Sequence, residues 1–101
     1  MNLTQRAKDK MTEYGIPGYM HGGIVRYYEN GIPPGDFLSA VINNDLKEAC
    51  GRADGTNIDA LKAYVMWFYN CAPMGTWGYA NATEDYIRQF HHVSLVEEPA
   101  G

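Results

Sequence analysis

The stretch FLSAVINNDLKEACGRA, residues 37–53, decides the fold. Phe37, Leu38, Val41, Ile42, Leu46 and Ala49 recur at helical spacing and form one apolar stripe. That pattern predicts a single amphipathic helix running from Asp36 to about Gly51. Asp45 stands out within it. It falls three residues after Ile42, four after Val41 and seven after Leu38, so it projects from the middle of the stripe. A carboxylate there must find hydrogen bonds or a cation, or be neutralised. Structurally, Asp45 would cap another helix or accept from a buried Tyr, Trp or backbone N–H. Functionally, it would orient a ligand or take a proton in a cleft. Arg52 falls on the same face two turns later, spaced i,i+4 from Glu48 for an ion pair. Asn44 sits at the stripe's edge, where it can bridge to the next loop, while Asn43 and Lys47 point outward.

Working outward, Gly and Pro punctuate the chain into further helical segments. Downstream, Asp54 or Thr56 can cap a helix through NIDALKAYVMWFYNCA to Pro73, with Ile58, Leu61, Val65, Phe68 and Ala72 as its main stripe. Tyr64, Trp67 and Tyr69 widen that stripe, which predicts a central helix packed on several sides. Asn81-Ala82-Thr83-Glu84 reads as a capping box for a last helix that buries Tyr86, Ile87 and Phe90. Upstream, Leu3, Ala7, Met11 and Tyr14 share one face of a short helix that Gly15 ends. Met20, Ile24, Tyr27 and Tyr28 follow at helical spacing, with Gly31 at the stop. Nothing alternates at period two. The expected fold is all-α, a bundle of four to five short helices. Residues 1–19 are read as an N-terminal arm, 20–92 as the helical domain and 93–101 as a flexible tail.

Composition narrows the function. A chain of 101 residues has room for one core, and a core of that size leaves little net stability. Self-association would bury more surface, so a homo-oligomer is expected. The net charge is −4, and the eight Lys and Arg are scattered rather than clustered. Direct nucleic-acid binding is therefore not expected. No apolar run reaches the roughly 18 residues of a membrane span, and the N-terminus lacks the apolar segment of a signal peptide. Cys50 and Cys71 are then read as reduced thiols of a cytosolic protein, both behaving as small buried hydrophobes. Histidines 21, 91 and 92 lack metal-ligand spacing, and no Ser has the setting of a nucleophile. No metal, cofactor or catalytic group is expected. Eight Tyr, two Trp and three Phe suit either core and interface packing or stacking on a flat ligand. Tyr27, Tyr28 and Trp77 are the candidate contacts among them, Trp77 because Gly flanks its loop.

The positions Gly31-Ile32, Pro34-Gly35, Phe37-Leu38, Ala40-Val41, Asn44-Asp45-Leu46, Ala53-Asp54, Asn57, Leu61, Asn70, Pro73 and Trp77-Gly78 carry a resemblance over about residues 20–90. In them the chain resembles a widespread group of small bacteriophage and prophage proteins. The resemblance implies a compact helical accessory protein in the cytoplasm of the bacterial host, and it implies no particular activity. Two functions follow as expectations. One is an accessory factor that engages a host protein, as an inhibitor of host defence would, through an exposed patch around Trp77 and Tyr27–Tyr28. The other is an oligomeric sponge for a nucleotide-like signal, with Asn44, Asp45 or Arg52 at the floor of an aromatic-walled pocket. An enzyme would need a second titratable group converging on Asp45, and none is legible.

Overall fold

A computed structural model describes residues 2–97 and divides them into seven helices. These are α1 (Gln5–Tyr14), α2 (Gly18–Asn30), α3 (Asp36–Ile42), α4 (Leu46–Arg52), α5 (Gly55–Asp59), α6 (Leu61–Cys71) and α7 (Ala82–Glu97). No strand occurs among the described residues, so the all-α expectation holds while the count of four to five is too low. Both extra helices arise from breaks inside segments expected to be continuous.

The first break lies in the deciding stretch. Asn44 takes the left-handed conformation, φ 58°, which Asn tolerates better than most residues. Its N–H bonds the Val41 carbonyl at 3.1 Å, and the Asp45 N–H reaches back to Ala40 at 2.8 Å. This pair of bonds is a Schellman ending for α3. Asp45 then starts α4 by accepting from the Glu48 N–H at 3.1 Å. Asp45 is therefore an exposed cap rather than a carboxylate set in an apolar stripe, and Leu46 beside it is exposed as well. The second break is at Ala60, between α5 and α6. Asp54 caps α5 as expected, accepting from Asn57 N–H at 2.7 Å.

The core is aromatic. Tyr27, Tyr28, Tyr64, Trp67 and Phe68 are fully buried, and Tyr86 nearly so. Tyr28 meets Tyr27 and Tyr86 edge-on at 4.9 and 5.2 Å between centroids, and Phe37 meets Tyr64 edge-on at 5.1 Å. Edge-to-face contacts of this kind add to the area term. The face of α6 that turns inward is set by Tyr64, Trp67 and Phe68, whereas Ile58 and Val65 of the expected stripe are exposed. Rings bury more area than aliphatic side chains, and here they decide the helix's rotation. The N-terminal helix joins this core: Leu3, Ala7 and Met11 are buried, and the Trp67 indole N–H donates to the Ala7 carbonyl at 2.7 Å.

Further expectations change. Asn81 has φ 66° and does not begin a capping box; the Asn43 side chain, expected to point outward, accepts from Thr83 N–H at 2.9 Å and Thr83 Oγ1–H at 2.7 Å. The start of α7 is thus capped from across the fold. Cys50 is exposed and Cys71 half-buried, and both are free thiols, so only Cys71 approaches the buried role expected. A loose tail is expected from Val93, but the backbone is helical through Glu97, and residues 98–101 lie outside the described residues.

Gly31 ends α2 with φ 65°, and a Cβ there would lie 2.5 Å from Cδ1 of Phe90 on α7. Gly31→Ala is expected to cost about 2–4 kcal/mol, from left-handed strain plus overpacking. Thermal unfolding should then drop by roughly 8 °C or more. Gly51 lies on α4, where an added Cβ would meet no atom within 4 Å, so Gly51→Ala should raise stability by about 0.5–1 kcal/mol. Equal effects of the two would contradict this packing.

Hydroxyl pairing gives a second contrast. Tyr64 donates to Asn57 Oδ1 at 2.6 Å in the interior, whereas the buried Tyr27 hydroxyl has no hydrogen-bond partner among the described residues. Tyr64→Phe should therefore destabilise by about 1–3 kcal/mol, because Asn57 is left unsatisfied. Tyr27→Phe should be neutral or stabilising, as read by urea denaturation.

Candidate functional site

The chain after α6 cannot continue as helix because Pro73 removes an N–H donor and fixes its own φ. The loop that follows is pinned at three points. Thr76, buried, donates from Oγ1 to the Pro73 carbonyl at 2.6 Å and shares a 3.0 Å hydrogen bond with the Tyr28 hydroxyl. Trp77 stacks on Phe68 with centroids 5.6 Å apart and planes at 29°. The Gly78 N–H then reaches the Ile42 carbonyl at the end of α3, 2.7 Å away. Gly75 and Gly78 both take positive φ, which lets the loop turn tightly enough to make these contacts.

Pinned this way, Trp77 walls one side of a cleft of about 140 Å³. Ala40 and Val41 come from α3, Asn44 and Asp45 from the turn, Leu46 and Ala49 from α4, and Leu61 and Val65 from α6. The lining is apolar except at the Asn44–Asp45 rim. The structure thus brings together three of the residues singled out from sequence, Asn44, Asp45 and Trp77. It adds Leu46 and Val65, which sequence reasoning assigns to the core. Their exposure leaves no signature in a periodicity pattern.

The remaining candidates lie elsewhere. Arg52 pairs on the surface with Glu48 at 2.7 Å and Asp36 at 3.6 Å, and does not line the cleft. Tyr27 and Tyr28 are fully buried and form no exposed patch. Burial holds their hydroxyls, and that of Tyr64, well above the usual tyrosine pKa, so all three stay protonated and neutral. Trp77, expected as an exposed contact, is half-buried. Among the described residues no group of three or more His, Cys, Asp or Glu is placed to hold a metal ion. No helix of the described residues is long and apolar enough to cross a membrane.

Two broader open hollows exist. One, about 620 Å³, lies between the end of α1 and α5–α6 and includes Glu13, Asp59 and Lys62. The other, about 530 Å³, lies by Pro33, Pro34 and the start of α7 and includes Glu84 and Arg88. Each mixes carboxylate and cationic side chains, so neither offers an anionic ligand a uniformly positive surface.

The role of Asp45 as a cap is testable. Asp45→Ala should cost about 1 kcal/mol of stability, and Asp45→Asn much less, because Asn also caps well. Loss of the same size in both variants would show that the charge, not the cap, matters. In comparisons with known proteins, no family model, no curated protein and no solved structure matches this chain.

Proposed function

We propose that this chain is a small phage accessory protein that acts in the host cytoplasm by holding a protein partner, and that the Trp77 cleft is where it does so. The phage assignment rests on the resemblance described above, and the proposed partner is a host protein, such as a component of a defence system. The observation that carries the binding mode is the cleft itself, with exposed Leu46 at its mouth and Val65 at its side. Its volume suits one aromatic or branched side chain from a partner. Small-molecule pockets run to roughly 300–1,000 Å³, so a nucleotide-sized ligand has less support here. The buried state of Tyr27 and Tyr28 also removes two of the rings that such a pocket would need. Asp45 is occupied as a helix cap, and it is the one titratable side chain among the described residues lining the cleft, so a catalytic reading of the cleft has less support.

Leu46→Asp tests the proposal without touching the core, since Leu46 is largely exposed. Native mass spectrometry of the wild-type protein from infected cells should show one host protein at fixed stoichiometry. Leu46→Asp should keep its helical circular dichroism and lose at least about tenfold in retention of that protein, the scale of one buried apolar anchor. Undiminished retention would move the binding site away from the cleft. A bound small molecule in place of a protein would favour the sponge reading.

A further inference from the structure

Helix α6 has an unusual solvent side. Its sequence, LKAYVMWFYNC, holds one charged residue, Lys62, and no carboxylate. Once Tyr64, Trp67 and Phe68 turn inward, Lys62, Val65, Met66 and Tyr69 face out. Val65 is 43% exposed, Met66 38% and Tyr69 77%. Ile58, 39% exposed on α5, and Met74, 99% exposed in the following loop, flank the helix in sequence. The three apolar side chains on α6 itself present on the order of 300 Å², taking roughly 200 Å² for a fully exposed side chain of their size. That reaches the lower end of the largest apolar patches of ordinary monomers, about 300–600 Å².

We infer that this face pairs with a second copy of the chain, α6 against α6 antiparallel, about a two-fold axis between Val65 and Met66. The pattern is self-complementary in that arrangement and in no parallel one. A two-fold between positions 65 and 66 sets Val65 against Met66 of the second copy, and Lys62 against Tyr69. Lys62 and Tyr69 are seven residues apart, about 10.5 Å along one face, so both pairs form twice. Lys62 has no ion-pair partner among the described residues, and an ammonium over a Tyr ring is favourable. Parallel pairing would instead stack Lys62 on Lys62. Copies carrying −4 each repel in general; α6 itself contributes no carboxylate to that repulsion, while Glu13 and Asp59 lie beside Lys62 and Met66. The inference goes beyond the proposed function. It rests on a different face of α6, with Val65 alone shared between face and cleft, and it would place two Trp77 clefts on one particle.

Sedimentation of the intact protein at micromolar loading should give twice 11.3 kDa. Tyr69→Lys should give the monomer with unchanged helical circular dichroism, since it sets an ammonium against Lys62 of the second copy twice and that side chain is outside the core. Leu46→Asp should leave the dimer in place, which separates this surface from the partner cleft. For geometry, Lys62→Cys and Tyr69→Cys chains can be mixed under mild oxidation in a Cys50→Ser, Cys71→Ser background. The mixed disulfide should form in preference to either homodisulfide. A monomer at all concentrations overturns the inference. So does a dimer that survives Tyr69→Lys, or one in which Lys62→Cys links chiefly to itself.

Discussion

Burying a ring with a polar tip is costly unless that tip is hydrogen-bonded, and, Tyr27 excepted, the bonds that satisfy such tips position the outer elements of the protein. Four core aromatics reach outward to do so. The Trp67 indole N–H takes the Ala7 carbonyl and thereby seats α1 on α6. Tyr64 takes Asn57 and holds α5. Tyr28 takes Thr76 and holds the loop after α6, while Tyr86 donates to the Tyr28 carbonyl and ties α7 to α2. Each bond is worth only about 1 kcal/mol net, but leaving a buried partner unmade costs more, about 1–3 kcal/mol. That asymmetry gives specificity to a core that hydrophobicity alone would leave free to rotate. It matters most for α3, α4 and α5. At seven, seven and five residues they are far too short to be stable alone.

The same logic explains how much can be read from sequence. Stops at Gly15 and Gly31 and the Asp54 cap are legible, because each depends on local backbone chemistry. The Glu48–Arg52 pair is legible for the same reason, being spaced i,i+4 on one short helix. The break at Asn44 is also local, and Asp45 with Glu48 three residues on has the form of a helix start. It is obscured because the apolar spacing runs on through the turn, with Leu46 in phase while actually facing water. For α6 the difficulty is different. Apolar residues occupy nearly every position, so periodicity has no phase to report. Only the partners of Trp67 and Tyr64, which lie 60 and 7 residues away, choose the inward face.

The site is legible in membership more than in role. Asn44, Asp45 and Trp77 do converge, although more than thirty positions of chain separate the turn from the tryptophan. The carboxylate that sequence leaves open between a structural cap and a ligand-orienting group is, in three dimensions, the cap of α4, and its neighbour Leu46 lines the cleft. Tyr27 and Tyr28 fail as surface candidates for a reason that helix geometry makes plain. Adjacent residues point about 100° apart, so both can be buried only where a helix is covered over a wide arc. Helix α2 is such a case, with Tyr28 against Trp67 of α6 and both tyrosines against Tyr86 of α7.

The core and the cleft are consequently one mechanical unit. Thr76 is held by a tyrosine from the middle of the aromatic cluster, Trp77 leans on Phe68, and Gly78 is bonded to the last turn of α3. A surface loop anchored on both sides of its tryptophan has little freedom left to lose when a partner arrives. For the partner proposed above, the ordering costs of association would fall mainly on that partner. The aliphatic residues around it are a by-product of the same packing. With rings filling the interior, Val65, Met66 and Leu46 are left at the surface. An aromatic core in so short a chain thus creates both the rigid cleft and the apolar surface beside it.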